Sequence, residues 1–433
     1  MMHESTGDLL QRLKKVEEED VNEGGFCSPA NSNLFILSLS FLLIFTGFNT
    51  MQFWISIINH DVGFWGLALL YLCFSLTATF SSKIVDAFGE KASIMLGSVT
   101  YLFWMTSNLF YHEVAFLVCC GIVGVGGALL WNAKEVQQLF ISQIQAFFNL
   151  FSNKSLIALC SPETLNFRNT FFCIVYSLSF VAGGLAFQFV LNSQISNNIQ
   201  LLKISLTTLV GLGVIIVLGL RGVDFDYAEK QENDPKKEFL SAFRKSALAF
   251  LVLSYSGFLQ SFIFGKYPQI MQKEWTGYVI ICFGVSSLAG NLFSRFLTQN
   301  NESKTRWLLL TLFSSFASCG GLIAAFFSRQ STHFYFAAAP LLGIGDSILI
   351  SQTNNILGSV CSEESPNIVF FLFRFLQSIS TSVGFVLSIY VSLEVYLIVM
   401  CSILGSGVVL FLVQGLCLVH YQKISEMDML IQN

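Results

Sequence analysis

The chain has 433 residues, of which 54% are hydrophobic and only 12% charged, and its mean hydropathy is +0.65. Soluble globular domains carry about 25% charged residues, so this composition excludes a water-soluble protein and leaves no room for a soluble catalytic domain. The formal net charge of −4 says little about partners, because the charges sit almost wholly between the apolar stretches.

About twelve apolar stretches of roughly 20 residues follow one another along the chain, and an α-helix needs that length to cross a bilayer. The sequence therefore predicts an all-α polytopic membrane protein with twelve transmembrane helices. We place these spans near residues 33–58, 64–86, 92–110, 114–132, 169–191, 201–220, 241–263, 277–298, 306–327, 333–353, 367–390 and 394–419.

The second six stretches repeat the first six. Four pairs of features correspond in the same order in both halves: residues 45–48 (FTGF) with 255–258 (YSGF), 71–74 (YLCF) with 280–283 (IICF), 124–127 (GVGG) with 343–346 (GIGD), and Arg168 with Arg374. Two six-helix pseudo-repeats of this kind predict the major facilitator fold, whose halves are related about an axis along the membrane normal.

These spans divide the chain into an N-terminal tail (1–31), a first six-helix half (32–220), a central linker (221–240), a second half (241–420) and a C-terminal tail (421–433). The first half contains an insertion, 132–161, after its fourth span. Apolar residues recur in this insertion at helical spacing, which suits a cytosolic extension of the fourth helix or a helix lying flat on the bilayer. Packing of the insertion against the bundle is the alternative.

The basic residues are distributed unevenly between the two sides of the membrane. If the N-terminus is cytosolic, nearly all of the 23 Lys and Arg residues lie on the inner side. Only four fall on outer loops: Lys203, Lys266, Lys273 and Arg329. The positive-inside rule then places both termini in the cytosol, at the plasma membrane or an endomembrane. Two glycosylation motifs, at Asn153 and Asn301, would face the cytosol and stay unmodified.

The segment between the second and third spans partly fits the cytosolic loop of major facilitators, in which an acid, a glycine and basic residues hold the closed state. Its candidates are Asp86, Gly89 and Lys91. Gly89 would supply the tight turn, and Asp86 would lie next to the positive end of the following helix. Arg168 and Arg374, at the cytosolic starts of the fifth and eleventh spans, complete this set of candidate gating residues.

Five of the polar residues inside predicted spans are candidate functional residues, because an ionisable or polar group there is costly unless it is paired or hydrated. Asn49 and Gln52 are on the first span, Gln260 and Ser261 on the seventh, and Asp346 on the tenth. The first and seventh helices of a major facilitator line its central cavity, so these residues are candidate ligand contacts, with Asp346 as a coupling carboxylate. The alternative is that all five make hydrogen bonds between helices.

Several stretches resemble the uncoordinated-93-like family and together cover almost the whole membrane portion. They are residues 45–50 (FTGFNT) with 67–71 (LALLY), Glu163-Thr164 with Arg168-Asn169, 255–258 (YSGF) with 277–284 (GYVIICFG), and 342–347 (LGIGDS) with 352–355 (QTNN) and 373–374 (FR). The resemblance implies a transporter-shaped accessory protein, since members of that family are described as regulators of two-pore-domain potassium channels or as escorts of nucleic-acid-sensing Toll-like receptors.

Two functions remain open. The first is an accessory or regulatory subunit of an ion channel, or an escort of another membrane protein. The second is a secondary active transporter of a small organic solute. The five histidines are scattered and no phosphate-binding loop follows a strand, so we expect no enzyme, metal site or cofactor. The expected partners are the lipid bilayer and another integral membrane protein, channel or receptor, and no nucleic acid.

Overall fold

A computed structural model describes residues 29–58, 60–151, 162–192, 198–220, 243, 250–298, 304–360 and 366–432. Within these residues every regular element is a helix. The α-helices are α1 (Pro29–Ile58), α2 (His60–Phe88), α3 (Glu90–Leu109), α4 (Glu113–Phe151), α5 (Pro162–Asn192), α6 (Asn198–Val217), α7 (Phe250–Ser261), α8 (Tyr267–Ile270), α9 (Thr276–Thr298), α10 (Lys304–Phe327), α11 (His333–Val360), α12 (Pro366–Tyr390) and α13 (Leu393–Gln432). A π-helical turn (Phe262–Lys266) joins α7 to α8, and a 3₁₀ turn (Lys273–Trp275) precedes α9.

Proline and glycine mark several helix boundaries. The helices α1, α5 and α12 all begin at a proline, where the missing N–H costs nothing because the first helical turn has no acceptor for it. Gly89 separates α2 from α3 with a φ of 82°, a left-handed conformation that glycine adopts without strain. Its N–H donates to the carbonyl oxygen of Val85 at 2.8 Å, which closes the end of α2.

Ten of the helices in the described part of the chain are long and apolar enough to cross a membrane: α1, α2, α4, α5, α6, α9, α10, α11, α12 and α13. The protein is therefore a multi-pass integral membrane protein, as predicted. The predicted third span is a helix, α3, but it is not among these ten. Its serine, threonine and asparagine residues lower its mean hydropathy. The predicted seventh span, 241–263, covers α7 and the first two residues of the π turn, and its residues 244–249 lie outside the described residues. The number twelve stays a prediction.

The π turn has a local cause. Pro268 lacks an N–H and its ring would clash with the carbonyl group of Phe264 in a regular helix. Widening the turn at Phe262–Lys266 lets the chain continue in helical form from α7 into α8. Lys266, at the end of this turn, donates from Nζ to the carbonyl oxygens of Ser388 (2.9 Å) and Val391 (2.8 Å) and so caps the end of α12.

The helices pack in a regular set of pairs. Helix α4 packs on α2 and α3, and α11 packs on α9 and α10. Helix α1 packs on α5 and α6, whereas α7 packs on α12 and α13. Two further pairs, α5 with α9 and α2 with α12, join the first six long helices to the later ones. In the second of these pairs, the Ser382 hydroxyl donates to the carbonyl oxygen of Ala68 at 2.8 Å.

Two glycines illustrate how closely these helices pack. A β-carbon at Gly124 of α4 would overlap the carbonyl oxygen of Leu70 on α2 and lie 2.8 Å from the β-carbon of Cys73. A β-carbon at Gly343 of α11 would lie 2.6 Å from the carbonyl oxygen of Phe283 on α9. Lipid tails are as apolar as leucine, so helix association in membranes relies on such close van der Waals packing.

We expect Gly124→Ala to destabilise the protein, because the added methyl group has no space against α2. Overpacking of this kind costs roughly 1–3 kcal/mol. Gly121→Ala on the same helix is the matched control, since its methyl group would meet only the sulfur of Cys73, at 3.8 Å. Thermal unfolding in mild detergent measures the difference. Equal midpoints for the two variants would contradict the close α2–α4 contact.

Candidate functional site

A cavity of about 190 Å³ lies in the middle of the bundle. Its apolar lining is largely aromatic: Phe45, Phe48, Tyr71, Phe74, Tyr101, Trp131, Phe172, Tyr176, Phe180, Phe264, Phe283 and Phe373. Its charged and amide lining residues are Asn49, Lys134, Gln260, Asn291, Asp346, Arg374 and Gln377. The walls come from both the first six and the later long helices.

The structure separates the five polar residues that the sequence singled out. Asn49, Gln260 and Asp346 line the cavity. Gln52 and Ser261 are fully buried but do not line this cavity. Gln52 lies one helical turn beyond Asn49 and its amide donates to the Tyr71 hydroxyl at 3.1 Å. Ser261 shares a hydrogen bond of 2.6 Å with the hydroxyl of Tyr396 on α13, since it points away from the side of α7 that carries Gln260.

Asp346 ends a hydrogen-bonded chain that crosses three helices. Its Oδ1 accepts from the Ser256 hydroxyl of α7 at 3.1 Å. The same hydroxyl accepts from the amide of Gln377 on α12 at 3.2 Å. The amide oxygen of Gln377 accepts in turn from Nη1 of Arg374 at 3.2 Å. A carboxylate and a guanidinium are thus joined through two neutral groups whose donors all point toward the acid.

Arg374 lies at the cavity wall, one turn before Gln377 on α12. Its guanidinium carbon is 4.3 Å from the ring centroid of Trp131 on α4 and 5.0 Å from that of Phe373. Both distances fall within the range of cation–π interactions, about 6 Å. The contact with Trp131 connects the second half of the chain to the first, so Arg374 joins helices that are distant in sequence.

Lys134 is a cavity residue that the sequence did not reveal. The predicted fourth span ended at residue 132, which put Lys134 among the basic residues of the inner side. In the structure α4 continues without a break to Phe151, and Lys134 is only 1% exposed. Its Nζ is 4.2 Å from the ring centroid of Phe172. The three-residue spacing from Trp131, which places both on one face of a helix, was the available signal.

A second polar junction lies beside the cavity, around the hydroxyl of Tyr71. This hydroxyl accepts from the amides of Gln52 at 3.1 Å and Gln260 at 2.8 Å, so it joins α1, α2 and α7. The Tyr71 ring stacks on Phe385 of α12 with a centroid distance of 5.8 Å. These contacts therefore join four helices from both halves of the chain beside the cavity.

The predicted gating residues are only partly described. Gly89 forms the turn between α2 and α3, and Lys91 is exposed just after it. Burial raises the pKa of the neighbouring Glu90 to about 7. The side chains of Asp86 and Arg168 lie outside the described residues, although the backbone places them in α2 and α5. Among the members of this set whose side chains are described, Arg374 lines the cavity.

The arrangement suits the binding of a small molecule or ion. Two cations and one carboxylate face the same space as several amides and aromatic rings. Ionisable groups at membrane depth are expensive, and they commonly mark substrate or ion pathways. The cavity is therefore the candidate functional site.

Comparison with known proteins identifies relatives along nearly the full chain. The family described as "Ion channel regulatory protein UNC-93" matches residues 56–412. The nematode protein unc-93 of Caenorhabditis elegans, named for potassium channel regulation, is 21% identical over 94% of this chain. The match covers 64% of that relative, so this chain spans less than two thirds of its length.

Other relatives come from vertebrates and plants. UNC93-like protein MFSD11 of Xenopus laevis is 23% identical over 85% of this chain and 92% of its own length. UNC93-like protein 3 of Arabidopsis thaliana is 24% identical over 84% of this chain and 82% of its own length. These matches and the family match confirm the resemblance found in the sequence, and the chain belongs to the UNC-93 family of ion channel regulatory proteins.

Proposed function

We propose that this protein is an accessory subunit that binds an ion channel, or escorts another membrane protein, within the bilayer. The observation that carries this proposal is the match to the ion channel regulatory family over residues 56–412. The name of the nematode relative points to potassium channels. An integral membrane protein with many apolar helices can reach such a partner directly through the lipid.

The proposed architecture is a major facilitator fold with twelve spans in two six-helix halves. The pairing of helices supports it, because α4 relates to α2 and α3 as α11 relates to α9 and α10. In the same way α1 relates to α5 and α6 as α7 relates to α12 and α13.

The third span also fits this architecture, although its hydropathy is low. Polar side chains of α3 are satisfied within the helix, since Ser98 donates to the carbonyl oxygen of Ile94 at 2.7 Å and Asn108 to that of Trp104 at 2.8 Å. A helix that satisfies its own polar groups can lie in lipid or against neighbouring spans.

The second candidate function is secondary transport of a small organic solute. The central cavity with Asp346 favours it, because a carboxylate at membrane depth can bind a proton or cation that drives transport. Fold and cavity shape alone do not establish transport. We therefore place the accessory function first.

We expect the tagged full-length protein, purified from native membranes in mild detergent, to recover an ion channel or a receptor at a fixed molar ratio. Mass spectrometry identifies the partner. Where the partner is a channel, co-expression should change its current amplitude or voltage dependence. Absence of any such partner, together with concentrative uptake of a solute by proteoliposomes, would favour the transporter instead.

We also expect both termini to face the cytosol, because the basic residues concentrate on that side. Terminal epitope tags should resist protease in sealed right-side-out membranes and be cleaved after permeabilisation. A tag inserted at 193–197, in a predicted outer loop, is the control and should be cleaved without permeabilisation. Glycosidase should leave the mobility unchanged, since Asn153 and Asn301 would be cytosolic. Cleavage of a terminal tag in sealed membranes would reverse this topology.

A further inference from the structure

We propose that the central cavity binds a small organic anion, a carboxylate on an aromatic or apolar body, with the carboxylate at Arg374 and Lys134 and the body against the aromatic rings of the lining. Binding is a property of the cavity in this chain. It applies whether the protein regulates a channel or carries a solute, so it goes beyond the function proposed above.

The size of the cavity limits the ligand. An apolar cavity of about 150 Å³ accepts benzene, and this one measures about 190 Å³. The additional volume corresponds to a carboxylate group or a short side chain. A monocyclic aromatic acid such as benzoate therefore fits, whereas a lipid or a nucleotide would require the bundle to open.

The charged side chains of the lining favour an anionic ligand. Of the lining residues within the described part of the chain, Lys134 and Arg374 are cations and Asp346 is an acid. The guanidinium of Arg374 presents a planar fork of donors that matches the two oxygens of a carboxylate. Lys134 is almost completely buried and contributes to the cavity wall.

The hydrogen-bonded chain explains how the acid and the cations can share one cavity. Asp346 is engaged by Ser256 at 3.1 Å, and Gln377 connects Ser256 to Arg374. The carboxylate thereby orients this series of hydrogen bonds, in which the amide oxygen of Gln377 accepts from one amino group of the Arg374 guanidinium. An anionic ligand is expected to approach the guanidinium from the cavity side and to lie away from Asp346, since like charges repel.

The aromatic wall supplies the site for the apolar body. Tyr176 lies 5.2 Å from Phe45 and 5.6 Å from Phe180, measured between ring centroids, and all three line the cavity. Edge-to-face arrangements of this kind accept a further ring at similar distances. The two cations lie beside this wall. The guanidinium of Arg374 lies over the ring of Trp131, and the ammonium group of Lys134 lies over the ring of Phe172.

The test is thermal stabilisation of the purified full-length protein by benzoate, with benzyl alcohol and benzylamine as neutral and cationic probes of similar size. A ligand that binds the folded state raises the unfolding midpoint with concentration. We expect benzoate to stabilise the protein more than either probe. Arg374→Gln and Lys134→Gln should each weaken the apparent affinity for benzoate at least about tenfold, since each removes a charge-assisted contact.

Two further variants separate binding from folding. Asp346→Asn should tighten benzoate binding, because it removes a negative charge from the cavity and keeps an oxygen that can accept from the Ser256 hydroxyl. Arg329→Gln is the matched control, since Arg329 forms an exposed ion pair with Glu394 outside the cavity lining. It should bind benzoate as the unmodified chain does. If Arg374→Gln does not fold, Arg374→Lys keeps the charge and loses the fork, and should show an intermediate affinity.

Several outcomes would overturn the proposal. They are equal stabilisation by all three probes, no stabilisation by benzoate, unchanged affinity in both cation variants, or loss of benzoate binding in Asp346→Asn. The measurement uses the purified chain alone. Failure to recover a channel from membranes would therefore leave this result untouched, and the reverse also holds.

Discussion

The hydrocarbon interior of the bilayer offers no hydrogen-bond partner, so each polar group of a spanning chain must find one inside the protein. Helices meet this demand for the backbone, and the regular elements within the described residues are indeed helical. Many serine and threonine side chains meet it within their own helix. Thr46 and Thr50, for example, donate to carbonyl oxygens four residues earlier at 2.6 Å. Such bonds leave the surfaces between helices to apolar and glycine packing.

A smaller group of polar residues cannot be satisfied in this local way, and these residues define the centre of the molecule. The amide of Gln260 reaches Tyr71 on α2, and the carboxylate of Asp346 is engaged by Ser256 on α7. The amide of Asn291 on α9 donates to Ser177 on α5 at 3.3 Å. Each bond joins different helices, and most of the participating side chains line the cavity. The cavity is therefore the place where the demand for hydrogen-bond partners is met between helices.

The two halves of the chain contribute different chemistry to this centre. Asp346 corresponds in the sequence repeat to Gly127, where a β-carbon would lie 3.0 Å from the Tyr101 hydroxyl and 3.1 Å from the Phe74 ring. The first half thus has aromatic rings where the second half has a carboxylate. Lys134 and Trp131 come from the first half and Arg374 from the second, and the cation–π contact at 4.3 Å joins them. This asymmetry favours one orientation of a bound ligand.

The sequence by itself determined the all-helical membrane class, most helix positions and the family, because apolar stretches of about 20 residues and the motifs around them are local properties of the chain. It also drew attention to Asn49, Gln260 and Asp346, since a polar residue inside an apolar stretch is visible without a structure.

Only the tertiary structure decided which polar residues share a cavity. Gln52 and Ser261 lie within a turn of cavity residues yet do not line the cavity themselves, because a helix turns about 100° per residue and neighbouring side chains point in different directions. Lys134 and Arg374 were assigned to the inner side because they follow or begin apolar stretches. Their place beside Trp131 depends on how α4 and α12 cross, and that crossing is set by packing between residues more than 200 positions apart.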